Sequence, residues 1–204
     1  LFRPVMNKEK MILRDQLGLP EGIKFLLFVG HFSREKCPDV LMEAWKRYVV
    51  NKYPNTGIIF VGTTNSDHYE VDGELVNDVH KLAHPYIDKQ IFFVEKTHNI
   101  EKYYQLAEIF VLPSVREGMP NVILEAMSCD LPVIASRLEG VTDWIVEEGV
   151  NGLLFTPNKI EELGDAIVRL LEGSEFASKL RRKPRQTILD RFSIKLVAEE
   201  YKKV

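Results

Sequence analysis

The sequence predicts an α/β fold, a Rossmann-like doubly wound parallel sheet with helices on both faces. Three observations carry that expectation. Short apolar, β-branched runs alternate with longer amphipathic segments, the pattern of βα units winding a parallel sheet. The runs are apolar at nearly every position, as strands buried on both faces are. The segments between them begin or end on residues that start or stop helices. In order, an amphipathic helix from about Lys8 is closed by Leu17-Gly18-Leu19-Pro20-Glu21-Gly22 and turns into a first strand at Lys24 to Val29. Pro38 suits a first helical position and is followed by Val40, Leu41, Ala44, Trp45 and Tyr48 at helical spacing. Further strands are expected at Gly57 to Val61, Gln90 to Val94, Ile109 to Leu112, Pro132 to Ala135 and Gly152 to Phe155. Asn99, Asn158 and Ser193 stand as N-caps before Ile100 to Ala107, Lys159 to Leu171 and Ile194 to Tyr201. From Lys179 to Val204 the chain reads as helix after helix, with nine basic and three acidic residues and a Pro184 that kinks or restarts it. Such a cationic helix suits anionic lipid headgroups, although a solvated basic face is the commoner use.

The 204 residues are 45% hydrophobic and 28% charged, which is ordinary globular composition and excludes disordered and fibrous classes. Lysine and arginine number 27 against 30 acids, a formal charge of −3, so no positive field favours nucleic acid. Two cysteines, Cys37 and Cys129, demand no oxidising compartment, and the expected setting is cytoplasmic, with peripheral membrane contact as a second expectation. No apolar run approaches the ~20 residues that cross a bilayer, and Leu1-Phe2-Arg3-Pro4 lacks a signal-peptide layout. The first residue is not Met, so a piece of a longer protein is expected; with no repeat or linker, 1–204 reads as one domain.

Ligands of doubly wound sheets bind where the loops after the strands meet helix N-termini. Two such loops carry chemistry. In Val29-Gly30-His31-Phe32-Ser33-Arg34-Glu35-Lys36-Cys37-Pro38, Gly30 allows a tight exit and Lys36 lies just before a helix start, which suits a phosphate or diphosphate. A solvated lysine in an exposed loop is the alternative. One glycine makes this neither a Walker loop nor a dinucleotide fingerprint. In the second loop, Ser114 to Met127, Pro120 or Asn121 begins an apolar helix interrupted in its second turn by Glu125. A carboxylate there needs hydrogen bonds: the vicinal diol of a ribose supplies two, and a paired Arg or Lys, or a helix dipole, is the competing account. Glu117 stands at the strand's carboxyl end before Gly118, placed to accept from ligand hydroxyls.

Glu117 to Glu125, with Pro113-Ser114 before and Ala126-Met127-Ser128-Cys129-Asp130-Leu131-Pro132 after, resembles the E-x7-E region of retaining, family-four (group 1) glycosyltransferases of the GT-B fold. Phe2-Arg3-Pro4, Leu17-Gly18-Leu19-Pro20, Phe28-Val29-Gly30, Glu35-Lys36, Ile59-Phe60-Val61-Gly62, Gly149 to Phe155 and Arg191-Phe192-Ser193 follow in the family's order. The chain is similar to the C-terminal, donor-binding half. The resemblance implies that Glu125 holds the donor ribose, Glu117 contacts the transferred sugar, Lys36 binds the diphosphate, and the backbone of Gly118, Met119, Pro120, Asn121 and Val122 reaches sugar and phosphate. It also implies transfer with retention, a nucleotide-diphosphate sugar as substrate with no cofactor, and an N-terminal domain outside this chain that holds a sugar, lipid or protein acceptor. The implied product is inactive alone. A non-catalytic nucleotide-sugar-binding or regulatory domain and a sugar-nucleotide epimerase of the same fold are the alternatives.

Two positions depart from the family. His31 replaces the usual Arg, which implies weaker or pH-dependent diphosphate affinity or a substitute in Arg34, and Cys37 replaces a common glycine after Lys36. No D-x-D occurs, so no metal-bridged diphosphate is expected. His80 and His84 share an i, i+4 face but lack a third ligand nearby and read as a surface pair. Trp45 and Trp144 read as packing residues, and Cys129 as a small buried hydrophobe.

Overall fold

The computed structural model describes residues 1–173, 175–180 and 183–193. After helix α1 (Asn7–Gln16), the first three βα units are β1 (Lys24–Val29), α2 (Pro38–Ala44), β2 (Thr56–Val61), α3 (Gly73–Ala83), β3 (Ile91–Val94) and α4 (Ile100–Leu106). The next are β4 (Ile109–Leu112), α5 (Asn121–Ser128), β5 (Val133–Ser136), α6 (Thr142–Ile145), β6 (Gly152–Phe155) and α7 (Ile160–Leu171). Short helices α8 (Glu175–Leu180) and α9 (Pro184–Thr187) follow. The strands form one six-stranded sheet in the order β3-β2-β1-β4-β5-β6, with every neighbouring pair parallel. This is the doubly wound α/β fold expected from the sequence.

Alternation along the strands divides the core. Leu26, Phe28, Ile58 and Phe60 face one layer with α2, α3 and α7. Phe25, Leu27, Ile59 and Phe110 face the other, with α4, α5 and α6. At α2 the helix widens into a π-turn at Trp45–Val49, and the buried Trp45 indole N–H donates to Thr56 Oγ1 at 3.0 Å. The chain winds outward from β1 to β3, then returns to place β4 on the other side of β1. Because α2 leaves β1 toward one face and α5 leaves β4 toward the other, a crevice opens between the carboxyl ends of these two strands.

Several expectations need correction. Asn158 does not cap α7: it is left-handed (φ +64°), Lys159 holds the cap position, and the Thr156 amide donates to Glu162 at 2.7 Å. Asn99 does sit before α4 but makes no side-chain cap. Helix α1 buries no residue and is anchored instead by Arg14, which donates to the carbonyls of Pro20 and Ile23. Trp144 is 54% exposed and packs edge-on against Phe192 at the surface. His80 is half-buried, stacked 4.1 Å from the Phe93 ring, and burial lowers its pKa; His84 begins a 3-10 turn after α3. Pro184 restarts a helix as N1 of α9. The expected helix after Ser193 lies outside the described residues. Among the described residues, no helix is long and apolar enough to cross a membrane.

Candidate functional site

The site is built on the exits of β1 and β4. The exits of β1 and β2 touch: Gly30 N–H donates to Val61 O at 2.9 Å, and Gly62, at φ +149°, lies so close that a Cβ there would overlap the Gly30 carbonyl oxygen. Only glycine fits that position. Beyond this floor a cleft of about 530 Å³ opens over the carboxyl ends of β1, β2 and β3, lined by Gly30, His31, Gly62, His68, Glu95 and Thr97 among others. Glu95 Oε1 accepts from the Thr64 hydroxyl at 2.7 Å, tying the loops after β2 and β3.

After Gly30 the chain coils into a tight turn, with the amides of Lys36 and Cys37 donating to Ser33 O at 3.1 and 3.0 Å. Cys37 then takes up a left-handed conformation (φ 50°, ψ 51°) directly before Pro38 at the start of α2. That backbone explains why glycine is the easier residue there, and Cys37 keeps the turn: its thiol is buried, donates to Arg34 O, and is pushed up to about 11 by burial. The turn delivers Lys36 to the β4 loop. Its Nζ donates to Glu117 Oε1 at 2.7 Å, with the two side chains only 22% and 7% exposed. Val115 N–H donates to Glu35 O at 2.8 Å, and Arg116 pairs with Glu35 at 3.0 Å in solvent. Residues 81 positions apart are thus locked together at the crevice.

His31 lies in the cleft wall, its Nδ1 3.7 Å from Glu70 and its ring stacked on His68 at 6.4 Å. Arg34, the candidate substitute for an arginine at position 31, is exposed and paired elsewhere. Its Nε donates to Asp72 at 2.7 Å, which holds the guanidinium toward the start of α3, and Asp72 also caps that helix. Gly118 and Met119 are exposed at the approach to α5, and no side chain caps that helix. Pro120 carries no N–H, so of Gly118 to Val122 only four residues have an amide to offer; Asn121 already donates its own to Met119 O at 2.8 Å.

Glu125 occupies the second turn of α5, half-buried, and its partner is neither arginine nor lysine. Tyr104 OH on α4 donates to Glu125 Oε2 at 2.9 Å. Burial raises the carboxyl's pKa and this hydrogen bond lowers it, with burial the larger effect. Cys129, at the end of α5, is buried and pushed up to about 12. Of the residues singled out from sequence, a direct contact joins Lys36 and Glu117, and Gly30 and His31 line the cleft. Glu125 is held separately by Tyr104. Tyr104, His68, Glu70 and Thr64 escaped the sequence reading; only the need of a buried Glu125 for a donor pointed to the first of them.

Residues 9–187 match the family described as glycosyl transferases group 1. The UDP-Gal:alpha-D-GlcNAc-diphosphoundecaprenol alpha-1,3-galactosyltransferase of Escherichia coli is 30% identical over 200 residues, 95% of this chain and 48% of that protein. Among solved structures, Anabaena Alr3699/HepE in complex with UDP and glucose superposes with a TM-score of 0.83 at 22% identity, over 100% of this chain and 54% of the other. The C-terminal domain of the group 1 protein LpcC from Francisella tularensis superposes with a TM-score of 0.78 at 23% identity, over 95% and 96%. The chain spans about half the length of the curated relatives it matches. With a Rossmann-like sheet that superposes on solved glycosyltransferases and a family match over most of its length, this chain belongs to the group 1 glycosyl transferases.

Proposed function

We propose that this chain is the donor-binding half of a retaining glycosyltransferase, which moves a sugar from a nucleoside diphosphate to an acceptor held by another part of a longer protein. One observation carries the reading: the Lys36–Glu117 pair, half-buried at the crevice where β1 and β4 diverge, sets a cation and a carboxylate side by side, with Lys36 on the same loop that supplies Gly30 and His31 to the wall of the open cleft. A diphosphate needs the first and a sugar hydroxyl needs the second. Lys36 and the amides before α5 would carry the diphosphate, where charge develops as the nucleotide leaves. Glu117 would face the transferred sugar, and Glu125 would accept from the ribose diol. The cleft over β1 to β3, with His31 in its wall, is the space for the nucleoside. UDP is the first nucleotide to try, since the relative at 30% identity is described as using UDP-Gal.

The test is calorimetric titration with UDP, GDP and ADP and their sugar conjugates, on the chain itself and on Lys36→Ala and Glu125→Ala. Binding of one diphosphate, weakened in both variants, supports the reading; Glu125→Ala is expected to cost about 1–3 kcal/mol, the range for a hydrogen bond to a charged group. A folded chain that binds none of them refutes the claim that this half holds the donor by itself.

A further inference from the structure

Tyr104 is 1% exposed. Its ring meets Phe2 edge-on at 5.7 Å and lies tilted against Phe110 at 5.6 Å, so it is fixed on two sides by aromatic packing. A phenylalanine would fill that space equally well. The hydroxyl is what needs explaining, because a buried O–H is costly without a partner. Its partner is a single atom, Glu125 Oε2 at 2.9 Å, 21 residues away on the next helix. Glu125 therefore has one oxygen tied to a rigid, buried donor, leaving Oε1 as the oxygen outside that bond.

We propose that Tyr104 is a positioning residue, whose buried hydroxyl holds one oxygen of the Glu125 carboxylate so that the other is presented to the hydroxyls of the nucleotide's ribose. The proposal rests on the ribose reading of Glu125 given above. An unrestrained glutamate loses substantial rotamer freedom when it grips a ligand; one already held by Tyr104 loses less, and the affinity gain is that of preorganisation. The same bond favours the ionised carboxylate, the form that accepts from both hydroxyls of a diol, against burial, which favours the neutral form. Among the described residues, few other titratable groups come near. On its own helix end stands Cys129, itself held neutral by burial. From α9, the Arg185 guanidinium is committed to Ser128 O, and its charge acts on Cys129. Tyr104 from α4 is raised well above the usual tyrosine range and stays a donor.

The experiment uses the 204-residue chain, Tyr104→Phe, Glu125→Ala and the double variant. Each is titrated with UDP by calorimetry from acid to mildly alkaline pH, and the Glu125 side-chain carboxyl is titrated by carbon-13 NMR without ligand. Tyr104→Phe keeps the ring packing, and its fold is checked by near-ultraviolet circular dichroism. At neutral pH it is expected to bind UDP roughly 3- to 30-fold more weakly, less than the full loss of a hydrogen bond to a charged group because Glu125 itself remains to accept from the ligand. Its affinity should begin to fall at a higher pH than that of the parent as acid is added, and its carboxyl titration should move upward. In the Glu125→Ala background the same substitution should change nothing. Equal UDP affinity of Tyr104→Phe and parent at every pH, or an unmoved carboxyl titration, overturns the proposal while leaving the ribose reading intact. Parent-like binding by Glu125→Ala overturns the ribose reading, and this proposal with it.

Discussion

The Lys36–Glu117 pair allows an asymmetric prediction. Lys36→Met leaves a carboxylate whose side chain is 7% exposed without its cation, whereas Glu117→Gln leaves an ammonium whose side chain keeps 22% of its surface in water and retains an oxygen to donate to. Breaking a fully buried pair by removing one partner costs about 3–5 kcal/mol. The partial exposure of Lys36 lowers that range, so Lys36→Met should cost about 3 kcal/mol and Glu117→Gln about 1 kcal/mol, by the discount that solvent applies. For a chain of this size each kcal/mol shifts the melting midpoint by about 2–4 °C, so the expected drops are about 6–12 °C and about 2–4 °C. The double variant should lose less than the two single losses together, because neither side chain is left charged and alone. Thermal melting by circular dichroism at neutral pH reads all four proteins. Additive losses, or a larger loss in Glu117→Gln than in Lys36→Met, would refute the claim that the buried carboxylate is the more dependent partner.

Gly62→Ala should be severe, about 3 kcal/mol or more, since the Cβ would overlap the Gly30 carbonyl at a φ of +149°; a melting midpoint within a degree of the parent's would show that the strand exits are not in contact. Glu125→Gln should abolish a pH slope of stability. Folding raises the Glu125 carboxyl above its ordinary 4.5, so the folded state binds the more protons just above that pH and stability falls as pH rises through the raised value. The amide carries no such penalty, and parallel melting curves for parent and variant between pH 4.5 and 7.5 would refute the assignment. The thiols of Cys37 and Cys129, pushed up to about 11 and about 12, should react with a disulfide reagent at pH 8 only when the chain unfolds; rapid labelling of the folded protein would contradict their burial.

Strands were legible because most are buried on both faces, so composition alone marks them: β1, β4 and β6 begin and end where the apolar runs do. Helix starts were less so. At α7 the local choice fell to Thr156-Pro157-Asn158, where Asn158 turns left-handed and Glu162 reaches back to satisfy the Thr156 amide, a competition between caps that a list of favoured residues does not rank. Side-chain surroundings depended on distant partners. His80 looked like a surface residue until Phe93 came beneath it, and Trp144 looked like core until its main aromatic partner proved to be Phe192 at the surface. Lys36 and Glu117 could each be named from their loops, but their pairing joins positions 81 apart and exists only because β1 and β4 are neighbours. For Glu125 the need for a partner was legible and its chemistry was not. A neutral hydroxyl from α4 does what a cation was equally able to do.

That difference separates the two glutamates of the motif. Each has one oxygen tied within the chain, Glu117 to an ammonium and Glu125 to a phenol. On the proposed reading each then has a second oxygen for a ligand hydroxyl, but the electrostatic outcomes diverge. Lys36 and Glu117 cancel, so an arriving diphosphate meets a locally neutral pair and not a free cation. An ammonium has three N–H donors, and one is spent on Glu117, which leaves two for phosphate oxygens on a side chain whose direction is already fixed. Glu117 thus orients Lys36 as much as it neutralises it, and the uncapped start of α5 and Lys96 in the cleft lining supply further positive character. Among the described residues no cation contacts Glu125, so on the same reading it is an acceptor that suits an uncharged diol and repels phosphate. On the proposed reading, a charged tie at Glu117 in the loop before α5 and a neutral tie at Glu125 in its second turn sort the two ends of a nucleoside diphosphate sugar.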